Sequence, residues 1–323
     1  MLPEIPPHVV LDAEGICDRC AAARRARPSP RLEPTDLQKE LRRHRGRGQH
    51  DVLVHCNGGA DSVSALLLLV RRYGMRPLVF TPDNGFEQEA AIDNVRRATA
   101  ILGLDWLHLV DRSIHGLYRA ALAPGSGASI CTACGLWQAW SVTRAAQAEG
   151  IGLVVSGWSP GHLDAVPGDG RELQAATRGT AKLLARLREA DPALAKLPAT
   201  LEEARGAGGL TLLSPHWYHE EEEDWPAVLA RELDWRPLVP TYPNPSNRSC
   251  CRLSLLSAWL DIDRFGLTFY HVELARLVRR GRMSRSEALA ALTRDFDAPG
   301  VAAELEALAA AVGGCSPSLP AGP

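Results

Sequence analysis

Lysine is nearly missing from this chain: Lys39, Lys182 and Lys196 are the only three in 323 residues. Arginine supplies nearly all the positive charge, and a formal net charge of -2 leaves no global basic field of the kind that gathers nucleic acid. That argues against tRNA as a partner, although a local patch would suffice to bind it. No run approaches the roughly 20 apolar residues of a membrane-spanning helix, so no membrane partner is expected. The opening Met1-Leu2-Pro3-Glu4-Ile5-Pro6-Pro7 lacks both a charged n-region and an apolar h-region, so we expect no secretory signal and a cytoplasmic location. Internal repeats are absent as well. What is present is an ordinary globular composition, 46% apolar, with enough material for a sizeable core.

The eight cysteines are the first positive signal. In a reducing compartment clustered cysteines point to metal more often than to disulfides. Their spacing is Cys17-x-x-Cys20, Cys131-x-x-Cys134 and the adjacent pair Cys250-Cys251, with single residues at Cys56 and Cys315. Cys56 lies inside an apolar run and reads as a buried small hydrophobe.

Strand and helix signals alternate through the first two thirds. Apolar runs at 51–56, 77–81, 106–110, 152–156 and 210–213 read as strands. Helical patterns at 61–73, 86–102, 113–122 and 132–149 lie between them. This is the pattern of an α/β fold with a doubly wound, parallel, five-stranded sheet, Rossmann-like, which binds ligands at the carboxyl ends of its strands. Thr35-Asp36-Leu37-Gln38 reads as a capping box opening a short basic helix that Gly46-Arg47-Gly48 ends. A helix is expected at 172–189, another started by the segment Ser214 to Trp225 with its Glu run in the first turn, and a second capping box at Ser284-Arg285-Ser286-Glu287. Residues 300–312 form an Ala- and Leu-rich helix, and the tail beyond reads as disordered.

Asn57-Gly58-Gly59-Ala60-Asp61-Ser62 joins the first strand to the first helix of this pattern. A tight Gly-Gly turn at a helix start leaves backbone N–H groups unpaired where the helix dipole favours negative charge, which makes a phosphate cradle. It is not a Walker loop, because no Gly-Lys-Ser/Thr follows. The plain alternative is a tight connection that holds no ligand.

This stretch resembles the SGGxDS loop of the PP-loop ATP pyrophosphatases (adenine nucleotide alpha-hydrolases), with Asn57 in place of the usual Ser. Phe80-Thr81-Pro82-Asp83-Asn84 matches the strand that ends in an Asp near adenosine. Gly15-Ile16-Cys17-Asp18-Arg19-Cys20, the block from Ser129 through Cys131 and Cys134 to Gly157, Asp263-Arg264-Phe265-Gly266 and Arg279 to Ala288 resemble the N-acetyl sugar amidotransferase subgroup. An upstream CxxC of that subgroup is missing.

The resemblance implies an N-terminal Cys-containing segment with a basic helix at 1–48, a PP-loop domain at 49–213, a helical substrate region at 214–312 and a tail at 313–323. It assigns Asp61 and Ser62 to catalysis, and Asn57, Gly58, Gly59, Asp61, Ser62, Asp83, Gly157 and Asp164 to ATP and Mg²⁺. The implied chemistry is adenylation of a carbonyl or amide oxygen of a small-molecule acceptor, with release of pyrophosphate.

Ammonia from a separate glutaminase subunit would then displace AMP and form an amidine. The alternative is sulfur insertion through a [4Fe–4S] cluster on Cys131, Cys134 and either Cys250 or Cys251, acting on a small molecule or a tRNA base. Zn²⁺ is the competing metal, on Cys17 and Cys20 together with either later pair. A non-catalytic nucleotide-binding protein is the reading from another class, and a homodimer is compatible with all of them. His216 to His219 read as a packed aromatic turn near the substrate, and the arginines at 276, 279, 280, 282 and 285 as a solvated face or a site for a phosphorylated substrate.

Overall fold

Val52–His55 (β1), Pro77–Asp83 (β2), Trp106–Val110 (β3), Leu153–Val155 (β4) and Thr211–Leu213 (β5) form one parallel sheet in the order β3-β2-β1-β4-β5. The computed structural model describes residues 9–25, 32–123, 128–158, 210–219, 224–239, 249–292 and 298–313. All five expected strands are present, and the expected doubly wound α/β architecture is the observed one. The three inner strands are apolar at nearly every position because helices cover both sheet faces.

Between the strands run Ala60–Leu67 (α3), Glu89–Leu102 (α4), Ile114–Leu122 (α5) and Ile130–Ala148 (α6). Asp18–Arg25 (α1) and Pro34–His44 (α2) precede the sheet, and α3 continues through a π-helical turn, Leu68–Arg72. After β5 come Trp225–Leu233 (α7), Leu253–Phe265 (α8), Phe269–Arg279 (α9), Arg285–Leu292 (α10) and Ala298–Ala311 (α11). The expected helix at 172–189 and the tail from 314 lie outside the described residues.

Two helix starts show local chemistry at work. The Ser284 capping box forms as expected: Ser284 N–H donates to Glu287 Oε2 at 2.8 Å, and Glu287 N–H to Ser284 Oγ at 3.2 Å. The box expected at Thr35 is displaced. Pro34 occupies the first helical turn, where its fixed φ costs nothing, so Glu33 becomes the cap and donates its N–H to Asp36 Oδ2 at 3.4 Å.

Hydrophobic burial runs across the segment limits read from the sequence. Leu37 and Leu41 of α2, and Leu229 and Leu233 of α7, share one core with β1, α3 and α4. Leu253, Leu256 and Trp259 of α8, with Leu305 and Leu308 of α11, share another with α5 and α6. The chain leaves β1 toward β2 and β3, then returns to β4 on the other side of β1. That reversal opens a crevice between the carboxyl ends of β1 and β4, the position at which such sheets bind ligands.

Candidate active site

Two backbone segments form the lips of that crevice: residues 57–62 after β1 and Ser156-Gly157 after β4. Gly58 has φ +79, and a Cβ there would sit 1.9 Å from the Ala91 carbonyl oxygen of α4. Only glycine permits both the conformation and the close approach. Gly157 approaches from the other side, where a Cβ would lie 2.5 Å from Ser62 N.

The carbonyls of the loop are tied into the protein. Gly58 O accepts from Asn94 Nδ2 at 3.1 Å and from Trp235 Nε1 at 2.9 Å. Gly59 O accepts from Ser62 Oγ and from Val63 N–H, each at 3.1 Å. Asp61 O accepts from His216 Nε2 at 2.8 Å, which places a proton on that ring nitrogen. Gly59 to Ser62, at the start of α3, line the crevice, and the N–H groups of a first helical turn, which have no partner within the helix, suit an anion. Asn57 Oδ1, at the edge of the loop, is buried with no hydrogen-bond partner among the described residues.

Asn94 is the hub of this bracing. It also bonds Arg236 through both backbone groups, donating to Arg236 O at 2.9 Å and accepting from Arg236 N–H at 2.8 Å. Asn94→Ala should therefore destabilise the chain by about 1–3 kcal/mol, the cost of leaving buried polar groups unpaired. Equilibrium urea unfolding measures this, and an unchanged midpoint would contradict the bracing role.

The crevice opens into a cavity of about 650 Å³. Its floor is the 57–62 loop with Gly157, and its walls include Gln138, Trp158, Trp235, Cys250, Tyr270 and Glu273. Asn57, Gly59, Asp61, Ser62 and Gly157, all assigned to ATP by resemblance, meet here. Asp83 does not line this cavity. Its Oδ2 pairs with His108 Nε2 at 2.9 Å, and its Oδ1 accepts Gly85 N–H at 2.8 Å, so it links β2 to β3. Asp164 lies outside the described residues. His216 is buried as a strut under the loop, and His219 bonds Tyr73 Oη at 2.7 Å, so the aromatic turn packs as expected.

Thiols gather beside the loop. Cys131 and Cys134 lie in the first turns of α6, and Cys251 lies just before α8. Asn84 donates its Nδ2 toward Cys134 Sγ and Cys251 Sγ, both at 3.4 Å. The two sulfurs are therefore within twice that distance of each other. Cys131 N–H donates to Ser257 Oγ of α8 at 3.2 Å, which places the α6 start against the same helix. Burial pushes the Cys131 thiol up to about 12 and the Cys134 thiol up to about 11. Burial, with the negative charge of Glu87, also raises Cys251.

Cys250 belongs elsewhere. Residues 250–252 are zipped antiparallel onto 86–88, with Gln88 N–H donating to Cys250 O at 2.6 Å and Arg252 N–H to Phe86 O at 2.9 Å. Side chains alternate along such an extended segment. Cys251 consequently faces the thiol group while Cys250 lines the cavity.

Cys17 and Cys20 pack around Val9 and Ala275. Among the described residues no three His, Cys, Asp or Glu side chains converge as ligands of a single metal ion. The zinc sites expected from combining Cys17 and Cys20 with Cys131 and Cys134, or with Cys250 and Cys251, are therefore not formed. The reason is that Cys17 is held in a bridge with Leu11 on the side of α9 that carries Ala275.

Sequence reasoning missed Asn84 and Glu87. Both follow β2 in an unremarkable polar stretch, and only the pairing with 250–252 makes them neighbours of the thiols. Glu87 is partly buried, with both carboxyl oxygens out of contact with solvent. Burial, with a smaller push from the charge of Asp83, raises its carboxyl to about 8, against a contact with Cys250 that lowers it. The folded chain thus keeps a proton that the unfolded chain releases near pH 4.5. Stability should fall as pH rises from there to about 8, by at most about 1.4 kcal/mol per pH unit. Glu87→Gln should remove this loss, so its stability advantage over the natural chain should grow between pH 7 and pH 8. Parallel urea midpoints of the two proteins across pH 6, 7 and 8 would refute it.

No protein-family model matches the sequence. The chain is 24% identical over 247 residues to the uncharacterized protein MJ1599 of Methanocaldococcus jannaschii, which covers 75% of this chain and 72% of that protein. Among solved structures it overlaps the U34-tRNA thiolase NcsA from Methanococcus maripaludis, determined with its [4Fe–4S] cluster, over 81% of each chain at 14% identity and a TM-score of 0.38.

Proposed function

We propose that this chain is a PP-loop ATP pyrophosphatase that adenylates a carbonyl or amide oxygen of its acceptor and exchanges AMP for sulfur. The observation that carries the sulfur branch is the Asn84 amide shared by Cys134 and Cys251, beside the crevice that holds the 57–62 loop. Ammonia, the nucleophile placed first by the sequence resemblance, would leave these thiols without a part in the transfer step.

In this reading the N–H groups at the start of α3 and the Ser62 hydroxyl hold the β- and γ-phosphates. Asp61 and the loop would hold Mg²⁺, which neutralises phosphate charge. The acceptor oxygen attacks the α-phosphorus, the bond to the β-phosphate oxygen breaks, and pyrophosphate leaves. Positioning and charge stabilisation supply most of the rate of such transfers, which suits a site built of backbone amides. The adenylated carbon then loses AMP to the sulfur nucleophile.

The donor set suits a [4Fe–4S] cluster better than a single ion. Cys134 and Cys251 share the Asn84 amide, and Cys131 starts the helix that packs on α8 beside them; three thiolates of this kind are the ligands a cluster with one open iron would take. Cys131, Cys134 and Cys251 would hold it, and it would supply sulfur to the activated carbon. A positive cluster would also offset the burial that keeps these thiols protonated.

Anaerobic purification and reconstitution test the reading. About four iron and four acid-labile sulfide per chain are expected, together with acceptor-dependent release of pyrophosphate from ATP. Colourless, iron-free protein that consumes ammonia would return the assignment to amidation. If no acceptor elicits AMP and Asp61→Asn leaves function in cells intact, the chain is not a catalyst.

The acceptor is a small molecule or a nucleic-acid base. The arginines of the C-terminal region are partly committed to structure, since the Arg280 guanidinium lies over the Trp217 ring at 4.6 Å.

A further inference from the structure

Cys17 and Cys20 are left over by this function, and their surroundings are specific. Cys17 immediately precedes α1, and Cys20 lies one turn into it. The Cys20 N–H donates to Cys17 Sγ at 3.4 Å, so the Cys17 sulfur occupies the capping position of the helix. The Cys17 sulfur and the Arg279 guanidinium, at the end of α9, are the polar groups that act on the Cys20 thiol. Cys17 is buried at 6% exposure, whereas Cys20 is half-buried. Among the described residues no third donor joins them at metal-ion spacing.

A dithiol spaced Cys-x-x-Cys at a helix start, with one sulfur buried and the other accessible, has the arrangement of an exchange pair, one thiol to attack and one to resolve. We propose that Cys17 and Cys20 form a thiol–disulfide exchange site whose co-reactant is a small disulfide.

Cys20, the accessible thiol beside Arg279, loses its proton and attacks one sulfur of the small disulfide. That bond breaks, the other half leaves as a thiolate, and Cys20 carries a mixed disulfide. Cys17 then loses its proton and attacks the Cys20 sulfur, releasing the second half of the small disulfide as a thiolate. The protein loses two hydrogens and two electrons, and the disulfide is reduced to two thiols. Burial and the neighbouring Cys17 sulfur raise the Cys20 thiol while Arg279 opposes them, so accessibility and not acidity makes Cys20 the attacking sulfur.

The experiment uses the full chain. Protein is equilibrated with glutathione disulfide, quenched in acid, unfolded, alkylated and mapped by peptide mass spectrometry. Cys17 and Cys20 should be protected together as one internal disulfide, lighter by two hydrogens, and dithiothreitol should restore both. In Cys17→Ser the second step is blocked, so Cys20 should accumulate as the glutathione mixed disulfide at least about tenfold over the natural chain. Full alkylation of both residues after oxidation overturns the proposal, and so does Cys20 joined to any other cysteine. Equal mixed disulfide in both proteins, or stoichiometric zinc that Cys20→Ser abolishes, overturns it too. Neither ATP nor an acceptor enters this measurement, so it fails or succeeds independently of the adenylation reading.

Discussion

Gly157→Ala should lower ATP-dependent pyrophosphate release by about 10²-fold while leaving the chain folded. The added methyl would meet Ser62 N at 2.5 Å, Asp61 C at 2.6 Å and Asp61 O at 2.8 Å. All three are backbone atoms of the first turn of α3, so no side chain can swing aside. The loop and the end of β4 must instead separate by a fraction of an ångström or more, and the N–H groups of that turn move with them. Misplacement of about 1 Å at a positioning site costs about this much. Gly59→Ala is the control for the substitution itself. A methyl at Gly59 meets no protein atom within 4 Å and lies on the cavity side. It should leave the unfolding midpoint unchanged and weaken ATP binding directly. Pyrophosphate release by Gly157→Ala at the natural rate would remove the 57–62 loop from the reaction.

Cys251→Ser should reduce the iron retained after anaerobic reconstitution by at least about tenfold, whereas Cys250→Ser should retain it in full. The substitutions are one position apart and chemically identical, so only the direction of each side chain separates them. Cys251 meets Asn84, which also holds Cys134 of α6, and Cys250 lines the cavity beside Glu87. Cys131→Ser and Cys134→Ser should behave like Cys251→Ser, while Cys17→Ser and Cys20→Ser should leave iron unchanged. Iron lost with Cys250→Ser and kept with Cys251→Ser would sink the assignment of ligands. Zinc at one per chain that survives all three cluster substitutions would sink the cluster itself.

Much of the fold was legible in the sequence because its signals are local. Val52-Leu53-Val54 is a buried strand on composition alone, and the Gly-Gly turn with the pattern after it marks a helix start. Helix limits were less legible. At α2 the pyrrolidine of Pro34 outweighed the Ser/Thr-type cap expected at Thr35. The site was legible where the residues are contiguous, from Asn57 to Ser62. It was obscure where they are not. Asp83 ends its strand as expected, yet His108 on the neighbouring strand engages it, and no single-strand pattern carries that information.

The sequence by itself determined the order of strands and helices and the position of the Gly-Gly turn that opens α3, because propensity, turn chemistry and burial patterns act over a few residues. Which cysteines meet was decided only by the tertiary structure. The parallel order puts β2 beside β1, and the 86–88 segment after it pairs with 250–252. That pairing turns Cys251 toward Asn84 and Cys250 toward the cavity. Cys17 and Cys20, spaced like Cys131 and Cys134, pack instead against Val9 and Ala275 of α9, because contact between distant segments follows from packing and not from interval along the chain.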